Sequence, residues 1–329
     1  NQKISHAYLL SGPRGTGKTT IARILAKTLN CKSSEMSEPC NKCNTCYEIS
    51  DSNSPDVVEI DAASNNGVDE IREIREKVKF LPSGAKHKIY IIDEVHMLSA
   101  GAFNALLKTL EEPPRHVVFI LATTEPQKLP ATIISRCQRF DFKALSVNDI
   151  TRKLRNICSE EGFDITEEAL NAISEAAEGG LRDALSIMDQ AIAFCDEKVT
   201  IEDVNRVTGN LSYDKLIQLA LYFNEGKVND ALETTNELIN LGKEVPKLVS
   251  GLLQFYRYML LYKNVHSPVF SKYIFEKEMF KKLAEETAVE KIFYYIDVLS
   301  DVQVKIKYSQ TPRIYLEIAL IKLITMTSE

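Results

Sequence analysis

The chain has 329 residues, room for two or three domains on the usual size range. Hydrophobic residues make up 44% and charged residues 26%, with 13 glycines and 11 prolines, which excludes long disordered linkers. A formal net charge of −6 excludes a surface coated in basic residues, so any contact with nucleic acid must come from a local arrangement.

The chain opens at Asn1 without a methionine, which reads as a fragment, so no targeting signal is judged from its start. "AYLL" precedes a glycine-rich turn, and "TTIARILAKTL" then repeats apolar residues at helical spacing. "VVEID", "KIYIID", "VVFILATT" and "QRFDF" are further short β-rich runs ending in polar residues. "VDEIREIREKVKFL" and "AGAFNALLKTLEE" between them have a helical period. Strands of this kind alternating with helices predict a parallel sheet covered on both faces, with ligands bound at the carboxyl ends of the strands. "VVFILA", the longest apolar run, is far too short to cross a bilayer.

Within this α/β region, "GPRGTGKT" matches G-x-x-x-x-G-K-[ST]. Its backbone amides are expected to curl around phosphate oxygens, aided by the positive end of the following helix. Gly12, Pro13, Arg14, Gly15, Thr16, Gly17, Lys18, Thr19 and Thr20 are the predicted nucleotide-binding residues. Lys18 reaches the β- and γ-phosphates and the Thr19 hydroxyl holds Mg²⁺. "IYIIDEVH" places Asp93 beside that Mg²⁺ and Glu94 next to it as general base, which favours hydrolysis by water over transfer to another acceptor. His96 is read as packing or loop structure. In "LATTEPQKL" a threonine hydroxyl is placed to touch the γ-phosphate or the water, and Thr124 is the candidate; two strand-favouring threonines are the plainer reading.

Seven cysteines divide into three scattered ones (Cys137, Cys158 and Cys195) and a cluster, "CKSSEMSEPCNKCNTC". Cys31, Cys40, Cys43 and Cys46 have the spacing C-x8-C-x2-C-x2-C, which suits a closed, structural Zn²⁺ site in a reducing compartment. Free thiols or a redox switch are the alternatives.

Beyond Lys143 the pattern changes, and no convincing strand follows Ser146. "SVND" and "TIED" read as capping boxes that open helices. The Gly179–Gly180 pair separates two amphipathic helices, and a second boundary falls at Thr208 to Ser212. The expected domains are an α/β module at 1–144 carrying the cysteine insert at 31–46, a small helical domain at 145–209 and a larger helical domain at 210–329.

"HAYLLSGPRGTGKTTIARILAK", the four-cysteine insert, "IIDEVHML", "LATTEPQKLPATIISRC" and "GGLRDALS" together resemble the gamma/tau ATPase subunits of bacterial DNA polymerase III clamp loaders, over nearly the whole chain. The resemblance implies an AAA+ module with a five-stranded parallel sheet and helices on both faces, then an all-α lid and an all-α collar. It implies ATP, Mg²⁺ and Zn²⁺ as ligands, and a cytoplasmic, replisome-associated location with no membrane contact. ATP binding in such a ring opens the sliding clamp and grips primer–template DNA, and hydrolysis releases the clamp. Implied partners are delta, delta-prime, further gamma/tau copies, the clamp and primer–template DNA, with single-strand binding protein, helicase and polymerase core reached through regions beyond this chain. The chain starts after the segment that helps hold adenine in that family and stops before the tail that distinguishes tau from gamma.

Composition alone leaves Arg136, in "IISRCQRF", open between a surface cation and a residue aimed outside its own chain. The resemblance makes Ser135-Arg136-Cys137 the arginine-finger motif, acting in trans on a neighbour's γ-phosphate. It also makes Thr124 sensor 1 and Arg182 sensor 2. Helix starts at "SNNGVDEIREI" and "SAGAFNALLK" match those that track DNA phosphates in the family. The competing readings are a nucleotide-switched zinc-containing nucleic-acid binding module, another AAA+ DNA-remodelling ATPase, and a P-loop small-molecule kinase.

Overall fold

Five strands, β1 (Ala7–Ser11), β2 (Val57–Asp61), β3 (Lys88–Asp93), β4 (Val117–Thr123) and β5 (Gln138–Asp141), pair in parallel in the order β2-β3-β4-β1-β5. The computed structural model describes residues 4–33, 38–195, 197–265 and 273–325. Residues 34–37, within the predicted insert, lie outside the described residues.

Alternation along the strands builds two separate cores. Leu9, Tyr90, Ile92, Phe119 and Leu121 face one side, packing with α3 (Val68–Lys77), α4 (Ala100–Glu111) and α5 (Ala131–Ile134). Leu10, Ile89, Ile91, Val118, Ile120 and Ala122 face the other, against α1 (Lys18–Asn30) and α2 (Asn44–Ser50). Every residue of β4 is buried, as expected for a central strand covered on both faces. The predicted sheet and its two helical layers are therefore present. Phe119 is fully buried and its ring lies 5.5 Å from that of Tyr90. Phe119→Ala is expected to destabilise this core by about 3–5 kcal/mol, read as the shift in the denaturant midpoint that reports the sheet.

From Ser146 to the end of the described chain the elements are helical: α6 (Val147–Glu161), α7 (Glu167–Ala176), α8 (Leu181–Ala193), α9 (Ile201–Thr208), α10 (Tyr213–Glu225), α11 (Val228–Asn240), α12 (Val245–Asn264), α13 (Glu278–Glu286), α14 (Val289–Ile306) and α15 (Pro312–Thr325). The predicted box at Thr200 forms in full, and the one at Ser146 in its N-cap half. The Ser146 hydroxyl accepts from the Asp149 amide at 3.1 Å and donates to its carboxylate at 2.6 Å. At the start of α9 the Thr200 amide and hydroxyl both donate to Asp203, which holds that carboxyl below its ordinary range. Between α9 and α10, Gly209 at φ 72° ends one helix and the Ser212 side chain caps the next.

The chain divides into two compact units, one made of residues up to Leu154 with Ala177–Ser186, the other of Arg155–Ala176 with Ile187 onward. The second has its own core, in which Phe223, Tyr256 and Tyr295 interlock; Tyr256 and Tyr295 have ring centres 4.9 Å apart.

Candidate nucleotide site and cysteine cluster

The phosphate loop leaves β1 where two other strands crowd it. The Gly12 amide donates to Thr123 O on β4, and the Phe142 amide just past β5 donates to Ser11 O at 2.6 Å. A Cβ on Gly12, at φ 148°, would sit 2.3 Å from Phe142 O, so only glycine fits. On its far side the loop is tied to the start of α8, where the Leu181 amide donates to Gly15 O at 3.0 Å. A Cβ on Gly15 would come within 2.9 Å of Gly180 Cα. The "GPRG" turn and "GGLRD" thus touch backbone to backbone, a pairing invisible at a separation of some 165 residues.

Lys18 opens α1 from a buried position, and its ammonium donates to Gly12 O at 2.9 Å and Pro13 O at 2.8 Å. Burial lowers its pKa, opposed by the nearby charges of Glu94 and Asp93. The Thr19 hydroxyl donates to Asp93 Oδ2 at 2.5 Å, and Asp93 Oδ1 accepts from the Glu94 amide at 2.8 Å. Hydroxyl and carboxylate, the predicted Mg²⁺ pair, therefore meet at the ends of α1 and β3. A cavity of about 370 Å³ opens beside Asp93, walled by Glu59, Asp61 and Arg23, the last paired with both oxygens of Glu59.

Glu94 follows β3 in the left-handed region, φ 45° and ψ 44°, a conformation rare for this residue type and one that concentrates at functional sites. Its Oε2 accepts from the Thr124 amide at 3.2 Å and the Thr124 hydroxyl at 2.9 Å. Thr123 points elsewhere, fully buried and hydrogen-bonded to His96 at 3.0 Å. The strand's alternation thus sends Thr124, the candidate, to Glu94 and its neighbour Thr123 to His96. His96, set aside on sequence, has its ring nitrogens 3.3 Å from Glu94 and 3.4 Å from Glu125, with its side chain 6% exposed.

Lys18, Thr19, Asp93, Glu94 and Thr124 thus gather at the carboxyl ends of β1, β3 and β4. Arg182 is exposed, next to the Leu181–Gly15 tether, and Arg14 lies 3.9 Å from Asp183. Arg136 does not join the cluster in its own chain. It sits in the turn after α5, donating to Thr132 O and to Glu111 Oε1 on α4, both at 2.8 Å.

The four clustered cysteines lie at the end of α1 and around α2, with Sγ atoms all within 4.8 Å of one another. Four sulfurs about 2.3 Å from a tetrahedral metal are spaced by roughly 3.8 Å, so the donor set fits such an ion with a small contraction. The thiols are unlike one another: the Lys32 amide pulls Cys43 down to about 6, while burial pushes Cys46 up to about 12. Of the scattered cysteines, Cys158 is buried against Met188, Cys137 is half-buried with its thiol pushed up to about 11 by desolvation, and Cys195 is half-buried.

A parallel sheet in this order with a phosphate loop, an acidic strand end and a following helical region defines a nucleotide-binding module of the AAA+ class. Family models match in succession: DNA polymerase III, delta subunit, at residues 1–146; DNA polymerase III clamp loader subunit, ATPase lid domain, at 149–197; and DNA polymerase III subunits gamma and tau domain III, at 199–329. The chain belongs to the DNA polymerase III gamma/tau subunit family. It is 50% identical over 98% of its length to DNA polymerase III subunit tau of Bacillus subtilis (strain 168), covering 57% of that protein. It is 47% identical over 76% of its length to subunit tau of Escherichia coli (strain K12), covering 39% of it. Subunit gamma of Buchnera aphidicola subsp. Schizaphis graminum (strain Sg) is 38% identical, with 98% of this chain and 89% of that protein covered. The chain thus spans about half the length of the tau relatives it matches. No helix among the described residues is long and apolar enough to cross a membrane.

Proposed function

We propose that this chain is the ATP-hydrolysing motor subunit of a replicative clamp loader, in which ATP binding opens a sliding clamp on primer–template DNA and hydrolysis releases it. The observation that carries the reading is the hydrogen bond between Thr19 and Asp93 beside buried Lys18 and the anchored Glu94. Gly12 to Thr20 form the triphosphate cradle, where Lys18 exchanges its carbonyl partners for phosphate oxygens. Mg²⁺ held by Thr19 and Asp93 would neutralise charge on the β- and γ-phosphates. Glu94 takes a proton from water as the water oxygen bonds to the γ-phosphorus; the bond from that phosphorus to the bridging oxygen breaks and ADP leaves. Thr124 orients Glu94, Arg182 reaches the γ-phosphate from the same chain, and Arg136 serves the neighbouring subunit's nucleotide. In this reading residues 1–144 are the motor module, 145–209 the lid and 210–329 the collar that joins delta, delta-prime and further gamma/tau copies. The helix starts at Val68 and Ala100 face DNA phosphates.

ATP hydrolysis by the full chain, alone and with the other loader subunits, clamp and primed DNA, tests the scheme. Turnover is expected to rise by at least tenfold in the assembly. An isolated chain that hydrolyses ATP at the same rate as the assembly would contradict it.

In the same proposal the cysteine cluster holds one structural Zn²⁺. Elemental analysis is expected to find one equivalent per chain, lost in Cys46→Ser. A loss of about 2 kcal/mol would lower the melting midpoint of the first unit by roughly 4–8 °C. Full retention of both zinc and midpoint in that variant counts against a four-cysteine site.

A further inference from the structure

His96 occupies a position that packing alone does not explain. The short turn Val95–Met97 folds its ring back onto the end of β4, where the side chain is 6% exposed. One ring nitrogen, Nδ1, meets the Thr123 hydroxyl at 3.0 Å, and the other, Nε2, lies 3.4 Å from Glu125 Oε1. Thr123 and Glu125 are the two neighbours of Thr124 in the chain. They are also joined to each other, the Glu125 amide donating to the Thr123 hydroxyl oxygen at 3.0 Å, and Lys128 pins the Glu125 carboxylate at 2.8 Å. The ring therefore bonds to one flank, Thr123, and lies against the other, Glu125, of the residue whose amide and hydroxyl hold Glu94. Nδ1 also lies 3.3 Å from the anchored oxygen, Oε2, and bars that side of the carboxylate.

We propose that His96 is a positioning residue for ATP hydrolysis. By bonding Thr123 and packing against Glu125 it fixes the two Thr124 donors on Oε2 of Glu94 and leaves Oε1 to accept the proton from water. The inference rests on Glu94 being the general base. A second property follows from the same bonds: a shift of the Glu125–Lys128 turn moves His96 and Thr124 together, so that turn sets the aim of the base.

The test uses the full chain assembled with the other loader subunits, with two substitutions. His96→Phe keeps a buried ring of similar size and removes both polar atoms; His96→Gln keeps one acceptor and one donor. His96→Phe is expected to lower kcat by roughly tenfold to a hundredfold, the scale of a misplaced catalytic group, with KM and the affinity for a fluorescent ATP analogue within about twofold of wild type. His96→Gln is expected to restore most of the loss. A His96→Phe kcat within twofold of wild type, or a Gln variant no better than Phe, overturns the proposal. A crystal structure of His96→Phe provides an arm that needs no turnover: the Glu94 carboxylate is expected to leave the Thr124 hydroxyl. Glu94 still bonded to Thr124 there refutes the positioning role, whereas absence of hydrolysis in the assembled wild type refutes the ATPase reading by itself.

Discussion

Arg136→Ala is expected to leave ATP binding by the chain unchanged and to lower hydrolysis in the assembled ring by about 10³-fold or more, the range measured for arginines supplied from a neighbour. The geometry explains why the loss depends on assembly. In its own chain the guanidinium is held by Glu111 at the end of α4 and by the Thr132 carbonyl on α5, and none of its bonds reaches Lys18, Thr19, Asp93 or Glu94. The Glu111 carboxylate is half exposed, so releasing that pair costs little, typically under about 1 kcal/mol. A planar, permanently charged fork can then turn to a neighbour's γ-phosphate as charge builds there. Arg136→Lys is expected to recover only part of the rate, because an ammonium cannot offer the same paired donors. Steady-state turnover of rings built with the variant provides the check. A rate equal to wild type would make Arg136 an ordinary surface cation.

Glu94→Gln is expected to lower single-turnover hydrolysis by about 10²–10⁴-fold while nucleotide affinity stays within about twofold, so that rings accumulate with ATP bound. The amide oxygen of glutamine can still accept from the Thr124 amide and hydroxyl, which keeps the side chain in place. What it lacks is the basicity to take a proton from water. In the proposed scheme the two substitutions act on opposite sides of each subunit interface, Glu94 on the chain that holds the nucleotide and Arg136 on the one beside it. Mixing Glu94→Gln chains with Arg136→Ala chains is therefore expected to give some interfaces with both groups intact and to restore part of the activity. Mixed rings as inactive as either parent would place the two groups in the same chain's site. Hydrolysis by Glu94→Gln within tenfold of wild type would remove Glu94 from the base role.

Arg182 and Thr124 illustrate how different kinds of information reached the site. Arg182 owed its assignment to the resemblance in "GGLRDALS"; the structure adds that this segment is bonded to Gly15, while the arginine itself is exposed. Thr124 is the candidate from sequence, and its bonds to Glu94, against the burial of Thr123 beside His96, set the two threonines apart. His96 reads from sequence as packing or loop structure, because a lone histidine after an acidic pair carries no spacing signal. Its partners lie 27 and 29 residues further along the chain.

The amino-acid sequence by itself determined the features whose physics is local. A glycine-rich curl with Lys18 and Thr19, an apolar run ending in Asp93 and Glu94, four closely spaced cysteines, and Ser146 or Thr200 three residues before an aspartate all act through neighbours within a turn or two. Strand and helix identities were legible for the same reason, since each is written in the period of its apolar residues. Only the tertiary structure decided the rest. Placing β4 between β1 and β3 brings Thr124 to Glu94 and Thr123 to His96; the approach of α8 brings Gly180 against Gly15; the turn after α5 lays Arg136 on Glu111. These meetings depend on strand order and register, which are set by burying Leu9, Ile91, Phe119 and Ile120 on the two faces of one sheet. Burial of that kind is a property of the packed chain as a whole, and no short stretch of residues contains it.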